Sequence, residues 1–191
     1  MIGGLGLTGV ILAAEIQLKP IAGDQIETNS IAFRSLAEFP VLAEESDNAF
    51  EYTVAWIDCF SAGQMRGIFI RENHAPGFYG AGTNRSGPRV PFSFPDFLLN
   101  RHSLKLLNSS YFHWKSLRGS RTRVALDGFF YPLDTIRQWN LLYGSRGFLQ
   151  YQCVIPETAG DALDGILTTV ARSGLGSFLA VLKRFGRMGS P

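Results

Sequence analysis

Residues 147–182 carry the clearest secondary-structure pattern in the chain, and their sequence is GFLQYQCVIPETAGDALDGILTTVARSGLGSFLAVL. Alternating polar and apolar side chains predict a strand over 147–155. A helix is predicted between Pro156 and Gly174, because apolar residues recur there every three or four positions. Residues 177–182 predict another strand. A strand, a helix and a strand after a run of strands predict an α+β fold, a largely antiparallel sheet with helices packed on one face.

Outside this stretch, alternating, β-branched or aromatic residues predict strands at 14–19, 25–34, 50–59 and 67–71. A short acidic helix is predicted at 35–46, and Gly and Pro throughout 73–95 predict a long loop. Asp134 is predicted to cap a helix that ends at Gly144.

Composition favours one domain with a small-molecule partner. The 191 residues are 46% hydrophobic and carry a net charge of +2, so nothing in the charge calls for nucleic acid or an anionic surface as a partner. Residues 1–14 are apolar but have no basic start, and they are shorter than the roughly 20 residues of a membrane span. We expect them to be part of the core, with no signal peptide or transmembrane helix.

A GxGxxG pattern runs from Gly4 to Gly9, the spacing that admits a pyrophosphate in dinucleotide-binding folds. No strand precedes it, and a predicted strand follows it where a Rossmann turn requires a helix. The pattern is therefore either a structural turn or a backbone surface close to a cofactor in another fold.

Other polar motifs are weaker. Cys59 and Cys153 lack metal-site spacing, so neither a disulfide nor a metal site is predicted. The three histidines share no helical face and are assigned no role. The basic stretch at 113–123 favours a solvated loop over a phosphate site, because the whole chain is nearly neutral.

Two glutamines form the most distinctive polar pair. Alternation places Gln150 and Gln152 on one face of the predicted strand, and amides both donate to and accept from the hydroxyls of a polyhydroxy ligand. An exposed polar strand face explains the pair equally well. Lys183, at the end of the last predicted strand, is ambiguous in the same way.

Several short sequence blocks, found in a fixed order along the chain, resemble those of a known protein family. They are GGLGLTGVI at 3–11, WID at 56–58, YPLD at 131–134, WN at 139–140, YG at 143–144, GFLQYQCVIP at 147–156 and SFLAVLKRFG at 177–186. Together they resemble the decaprenylphosphoryl-ribose-oxidase-like family of vanillyl-alcohol-oxidase-type, FAD-linked flavoproteins. The match is weakest from about Ala75 to Arg123, and the block at 147–156 is its most specific part.

The resemblance implies a domain division and a set of site residues. Residues 1–20 would end an FAD-binding domain, and 21–191 would form a substrate domain that is incomplete at its C-terminus. Gly9, Val10 and Ile11 would contact the flavin. The residues that would line the substrate pocket are Trp56, Phe130, Gln150, Gln152, Leu179, Lys183 and Phe185.

The activity implied is hydride transfer from a secondary hydroxyl of a sugar to FAD, for example the ribose 2′ position of a lipid-phosphate-linked sugar in cell-envelope biosynthesis. A short-chain reductase would complete an epimerisation, and the enzyme would be cytoplasmic or peripheral at the inner membrane. The catalytic lysine of the family lies beyond this chain, so we assign no catalytic residue. The chain alone is expected to be inactive and not to retain FAD.

The chain departs from the family at three positions: Phe130 replaces a tyrosine, Val54 a serine and Leu182 a phenylalanine. Fewer polar contacts are compatible with a different sugar. One alternative is a relative of the aldonolactone or alditol oxidases. Another is a non-catalytic ligand-binding or assembly module without flavin. Apolar surface left exposed would favour a homodimer.

Overall fold

A computed structural model describes residues 4, 6–61, 65–77, 87–118, 121–145, 147–174, 177 and 179–185. Five strands form one antiparallel sheet in the order β4-β1-β3-β2-β5. They are β1 (Gln25–Phe33), β2 (Tyr52–Ile57), β3 (Gly67–Ala75), β4 (Arg121–Ala125) and β5 (Val181–Leu182). The α-helices are α1 (Glu38–Ser46), α2 (Arg101–Leu117), α3 (Leu126–Phe130) and α4 (Gly160–Ser173).

The pairing register assigns each strand residue to one of two sheet faces, because directly opposed residues point to the same side. Trp56 lies opposite Ile68 and Val181. We call this side the Trp56 face. Ala55, its neighbour in β2, lies opposite Phe69 and Leu182 on the other side, which we call the Phe69 face.

The larger apolar core lies on the Phe69 face, beneath α1 and α4. The buried side chains of this core are Phe33, Phe39, Ala43, Ala55, Ile57 and Phe69. Leu167 of α4 packs against them. Burying such side chains stabilises the fold by about 1.5–3 kcal/mol each before entropy is counted, so this layer holds the two helices on the sheet.

The second core lies on the Trp56 face, where Phe112 of α2 packs on Trp56 and Ile68. Asn100 begins this helix with a capping box, in which its side chain accepts from the backbone N–H of Ser103. The α+β class and the antiparallel sheet are confirmed. The structure differs in one detail, because helices pack on both faces of the sheet rather than on one.

Most elements with strong patterns were predicted correctly. The strands at 25–34, 50–59 and 67–71 and the helix at 35–46 are confirmed as β1, β2, β3 and α1. The predicted helix after Pro156 is confirmed as a 3₁₀ turn followed by α4, and Gly174 ends it with φ of 73°. The predicted strand at 177–182 shortens to β5, since Ser177, Leu179 and Ala180 are not assigned to a strand.

Two predicted strands are wrong. Residues 14–19 and 147–155 form no strand and are almost wholly exposed, with Leu18 84% and Tyr151 80% exposed. Residues 6–14, expected to be core, are exposed as well. Alternation marks a chain suited to a sheet, but a strand forms only where a partner strand satisfies its backbone groups.

The other differences fall between 73 and 144. The helix predicted from Asp134 to Gly144 is wrong: two 3₁₀ turns form instead, Pro132–Thr135 and Trp139–Tyr143. The solvated loop predicted at 113–123 is also wrong, because it contains the end of α2 and the start of β4. In the predicted loop at 73–95, β3 continues to Ala75, and residues 78–86 lie outside the described residues.

No helix within the described ranges is both long enough and apolar enough to cross a membrane.

Candidate functional site

Trp56 lies at one end of the Trp56 face, near the β2–β5 pairing. Its side chain is 7% exposed and packs against Ile68 and Phe112. Tyr111 of α2 meets it edge to face, with ring centroids 4.8 Å apart. The structure therefore places this predicted pocket residue under α2 rather than in an open cavity.

Strand β5 places further predicted residues near Trp56. The backbone N–H of Ile57 donates to Ala180 at 3.0 Å, which extends the pairing by one residue before Val181. Val181 lies opposite Trp56, and Leu179 and Lys183 lie two residues to either side of Val181, just outside the two-residue strand β5. Leu179 is 46% exposed and Lys183 is exposed, so both can meet a ligand from solvent.

Phe130 lies at the other end of the same face. Its ring meets Tyr52 edge to face at 5.3 Å, and Phe129 contacts the same tyrosine at 5.7 Å. Tyr52 precedes Trp56 by four residues, a separation of roughly 13 Å at 3.3 Å per residue. Burial, followed by a hydrogen bond with Glu51, raises the pKa of Tyr52 to about 12, so its hydroxyl is a neutral hydrogen-bonding group.

The remaining predicted residues are not drawn into this face. Gln150 and Gln152 lie in the exposed segment at 147–156, which has no regular structure. The segment is attached at its start, where Phe148 packs on Tyr143 at 4.2 Å. Phe185, just after β5, is 68% exposed. The pocket roles of these three residues stay predictions.

The predicted flavin contacts lie in the exposed N-terminal segment. Gly9 has φ of 150°, and Val10 and Ile11 are 79% and 63% exposed. Within the described chain their backbone groups form no hydrogen bond. A flavin ring needs apolar surface against it and hydrogen-bonding groups at the edge of the ring. The exposed aliphatic side chains and free backbone groups of this segment could supply both on one side of the ring.

Sequence reasoning missed a buried acid on the Trp56 face. Glu72 of β3 is 3% exposed, lies opposite Tyr52 and Thr28, and its Oε2 has no hydrogen-bond partner. Burial raises the pKa of Glu72 to about 7, and the charge of Lys115 on α2 partly opposes this. The signal in the sequence was an acid at the position where β3 alternation expects an apolar residue, after Ile68 and Ile70.

A histidine beside this acid was also assigned no role. His74 lies on the same face, with Nε2 3.3 Å from the Tyr52 hydroxyl and Nδ1 3.1 Å from the carbonyl of Gly23. The two contacts fix the orientation of the ring. Tyr52, Glu72 and His74 thus form a polar group at the Phe130 end of the face.

A second polar cluster joins α2 to the end of the sheet. Asp58, 1% exposed, accepts hydrogen bonds from Arg66 Nε at 2.9 Å and from Asn108 Nδ2 at 3.2 Å. Asn108 also donates to the carbonyl of Ser177 at 3.1 Å, just before β5. Arg66 also donates to the Ser109 hydroxyl of α2 at 2.8 Å, so the Asp58–Arg66 pair anchors this helix to the end of the sheet.

The described residues contain no group of three or more His, Cys, Asp or Glu side chains suited to a metal. Both cysteines are free, Cys59 buried and Cys153 exposed. The Trp56 face offers aromatic side chains at both ends, and the polar group of Tyr52, Glu72 and His74 lies at its Phe130 end.

No family model matches the chain. It is similar to the decaprenylphosphoryl-beta-D-ribose oxidase of Mycolicibacterium smegmatis, with 30% identity over 197 residues, 97% of this chain and 43% of that protein. It is also similar to an uncharacterized protein in the mprA 5′ region of Streptomyces coelicolor, with 29% identity over 99% of this chain and 55% of that protein. The chain thus spans about half the length of the curated relatives it matches, and it is related in sequence to an oxidase.

Proposed function

We propose that this chain is the substrate domain of an FAD-dependent oxidoreductase that oxidises a secondary hydroxyl of a sugar, such as a lipid-phosphate-linked ribose. The observation that carries the proposal is the similarity to the ribose oxidase over 97% of the chain. The placement of Trp56 and Phe130 at the two ends of one sheet face, with Leu179 and Lys183 flanking the strand that pairs beside Trp56, supports it.

Binding on the Trp56 face would combine apolar contact with a few polar groups. Leu179 and the exposed edge of Phe130 offer surface for a sugar ring or a lipid. Lys183 offers an ammonium group that donates to a phosphate or a hydroxyl. Gln150 and Gln152, both exposed, would donate to and accept from the sugar hydroxyls.

FAD, when bound, supplies the hydride acceptor. Gly9, Val10 and Ile11 would contact it through their free backbone groups and exposed side chains. The task of the Trp56 face would be to hold the sugar carbon toward the ring and to keep water away from it. No residue of this chain is assigned as the base that removes the hydroxyl proton.

The partners proposed are the sugar substrate, a short-chain reductase that takes the oxidised product, and a second copy of the chain. The homodimer is supported by apolar side chains on the outside of α2, where Leu106 is 68% and Leu117 85% exposed. Sedimentation over a range of concentrations tests it. A monomer at all concentrations would contradict the dimer without affecting the enzymatic proposal.

The first experiment is a visible spectrum of the chain after incubation with FAD and removal of free cofactor. We expect a colourless protein, because the exposed segment at 9–11 provides only one side of a flavin contact. A retained flavin band would show that this chain suffices for binding, and the expectation of a chain that cannot hold FAD would be wrong.

The second experiment tests the substrate. Farnesylphosphoryl-ribose is titrated into the chain while tryptophan fluorescence is followed, with Lys183→Met as the variant and Lys105→Met on α2 as the control, since both lysines are exposed. We expect Lys183→Met to weaken binding at least about tenfold, the effect of losing a charged hydrogen bond. Equal affinities for both variants would contradict the assignment of Lys183.

A further inference from the structure

Arginines cluster on the Phe69 face, at the end of the sheet that lies away from its apolar core. In the register, Asn29 of β1 lies opposite Arg71 of β3 on one side and opposite Arg121 of β4 on the other. Neighbouring strands are about 4.8 Å apart, so the two arginine backbones are about 10 Å apart. Both arginine side chains therefore leave the same face of the sheet, one on either side of Asn29.

Two polar atoms in this row are buried without a partner. Arg71 Nε and Asn29 Oδ1 form no hydrogen bond, although the two residues are directly opposed. The Arg71 guanidinium is held over the ring of Phe50, with Cζ 4.6 Å from the centroid. Unpaired buried polar atoms are uncommon because each one costs free energy, so two in one place point to a group that binds there.

The positive charge in this row is not neutralised. Arg121 is exposed and forms no hydrogen bond or ion pair with any residue that the structure describes. Glu27, two residues before Asn29 in β1, pairs with Arg123 at 3.8 Å. A groove of about 150 Å³ lies beside the row, lined by Glu27, Arg121, Thr122 and Arg123.

We propose that the row of Arg71, Asn29 and Arg121 is a binding site for a phosphate monoester group. Arginine forks match the oxygens of a phosphate and bind it through paired hydrogen bonds. Rotation of the Asn29 amide by half a turn presents its NH₂ to the same oxyanion. The site is on the face opposite Trp56, so it is separate from the proposed sugar site and does not depend on it.

The test is calorimetric titration of the 191-residue chain with inorganic phosphate at constant ionic strength. We expect saturable binding, weakened at least tenfold in Arg121→Gln. Arg172→Gln at the end of α4 is the matched control, since it removes the same charge from another exposed position. Arg121 is the residue substituted because it is exposed, so the change leaves the core intact. Arg71→Gln would in addition remove the packing of Arg71 on Phe50.

Absence of saturable binding, or equal weakening in Arg121→Gln and Arg172→Gln, would overturn the proposal.

Vesicles of phosphatidylcholine with and without phosphatidic acid identify the source of the phosphate. Binding to the acidic vesicles that free phosphate displaces supports a lipid headgroup, whereas phosphate binding without vesicle binding supports a soluble monoester.

Discussion

Tyr111 of α2 lies edge-on against Trp56 of β2, with ring centroids 4.8 Å apart and an interplanar angle of 67°. The contact closes one end of the Trp56 face, because Phe112, the next residue of the helix, is fully buried against the same tryptophan. A ligand that reaches Trp56 must therefore approach past α2 or along β5.

Tyr111→Ala is expected to open this end of the face. Removing the ring exposes Trp56 to solvent, so its emission should shift to longer wavelength and its quenching by acrylamide should increase. Trp114 and Trp139 also emit. Adding Trp56→Phe to the Tyr111→Ala chain therefore shows which part of the fluorescence comes from Trp56. Unchanged quenching in Tyr111→Ala would mean that the rest of α2, and not Tyr111, shields Trp56.

Stability should depend on pH through Glu72. Its pKa is about 7 in the folded chain and 4.5 when exposed, so between these values the folded chain holds a proton that the unfolded chain has lost. The free energy of unfolding is therefore highest below about pH 4.5, falls as pH rises toward 7, and is level above it. At about 1.4 kcal/mol per pKa unit the fall is roughly 3 kcal/mol.

Glu72→Gln keeps a neutral side chain at every pH and should remove most of this fall. Chemical denaturation from about pH 4.5 to about pH 8 measures it, with the exposed Glu45→Gln of α1 as the control. The polar and charged neighbours that face Glu72 are Tyr52, Thr28, His74 and Lys115. A pH profile of Glu72→Gln that matches the unsubstituted chain would contradict the assignment.

The two thiols should differ in reactivity. Cys59 is 2% exposed and burial raises the pKa of its thiol, whereas Cys153 is exposed in the segment at 147–156. A thiol reagent at about pH 8 should therefore modify one cysteine in the folded chain and both in denaturant. Cys153→Ser should leave no fast-reacting thiol. Fast modification of the folded Cys153→Ser chain would mean that Cys59 is accessible.

Gly67 marks a close approach at the start of β3. A Cβ at this position would collide with the carbonyl oxygen of Trp56 and the ring of Phe33. Gly67→Ala should therefore destabilise the chain by about 1–3 kcal/mol, the usual cost of overpacking. Gly165→Ala on α4, where nothing lies within 4 Å, should instead stabilise it by up to about 1 kcal/mol. Equal changes in melting temperature for the two variants would contradict this account.

Local sequence pattern is enough to predict the elements whose periodicity and boundary residues agree. β1, β2, β3 and α1 were predicted from alternation and composition, and α4 from its helical spacing before Gly174. The chain at 101–117 was not predicted as a helix, although Asn100 and Ser103 form a capping box. The apolar residues of this helix lie on both its buried and its exposed sides, since Phe112 is buried while Leu106 and Leu117 are exposed. The spacing of apolar residues along the sequence is therefore less regular than in a helix with a single apolar face.

Which residues share a face of the sheet depends on the tertiary fold. The amide pair of Gln150 and Gln152 is conspicuous in sequence, yet its segment pairs with no strand and lies in solvent. Glu72 is inconspicuous in sequence and becomes a buried acid beside Tyr52 and His74. The physical reason is that local pattern fixes φ, ψ and alternation, whereas burial and pKa depend on strand order and helix docking, which bring together residues far apart in the chain.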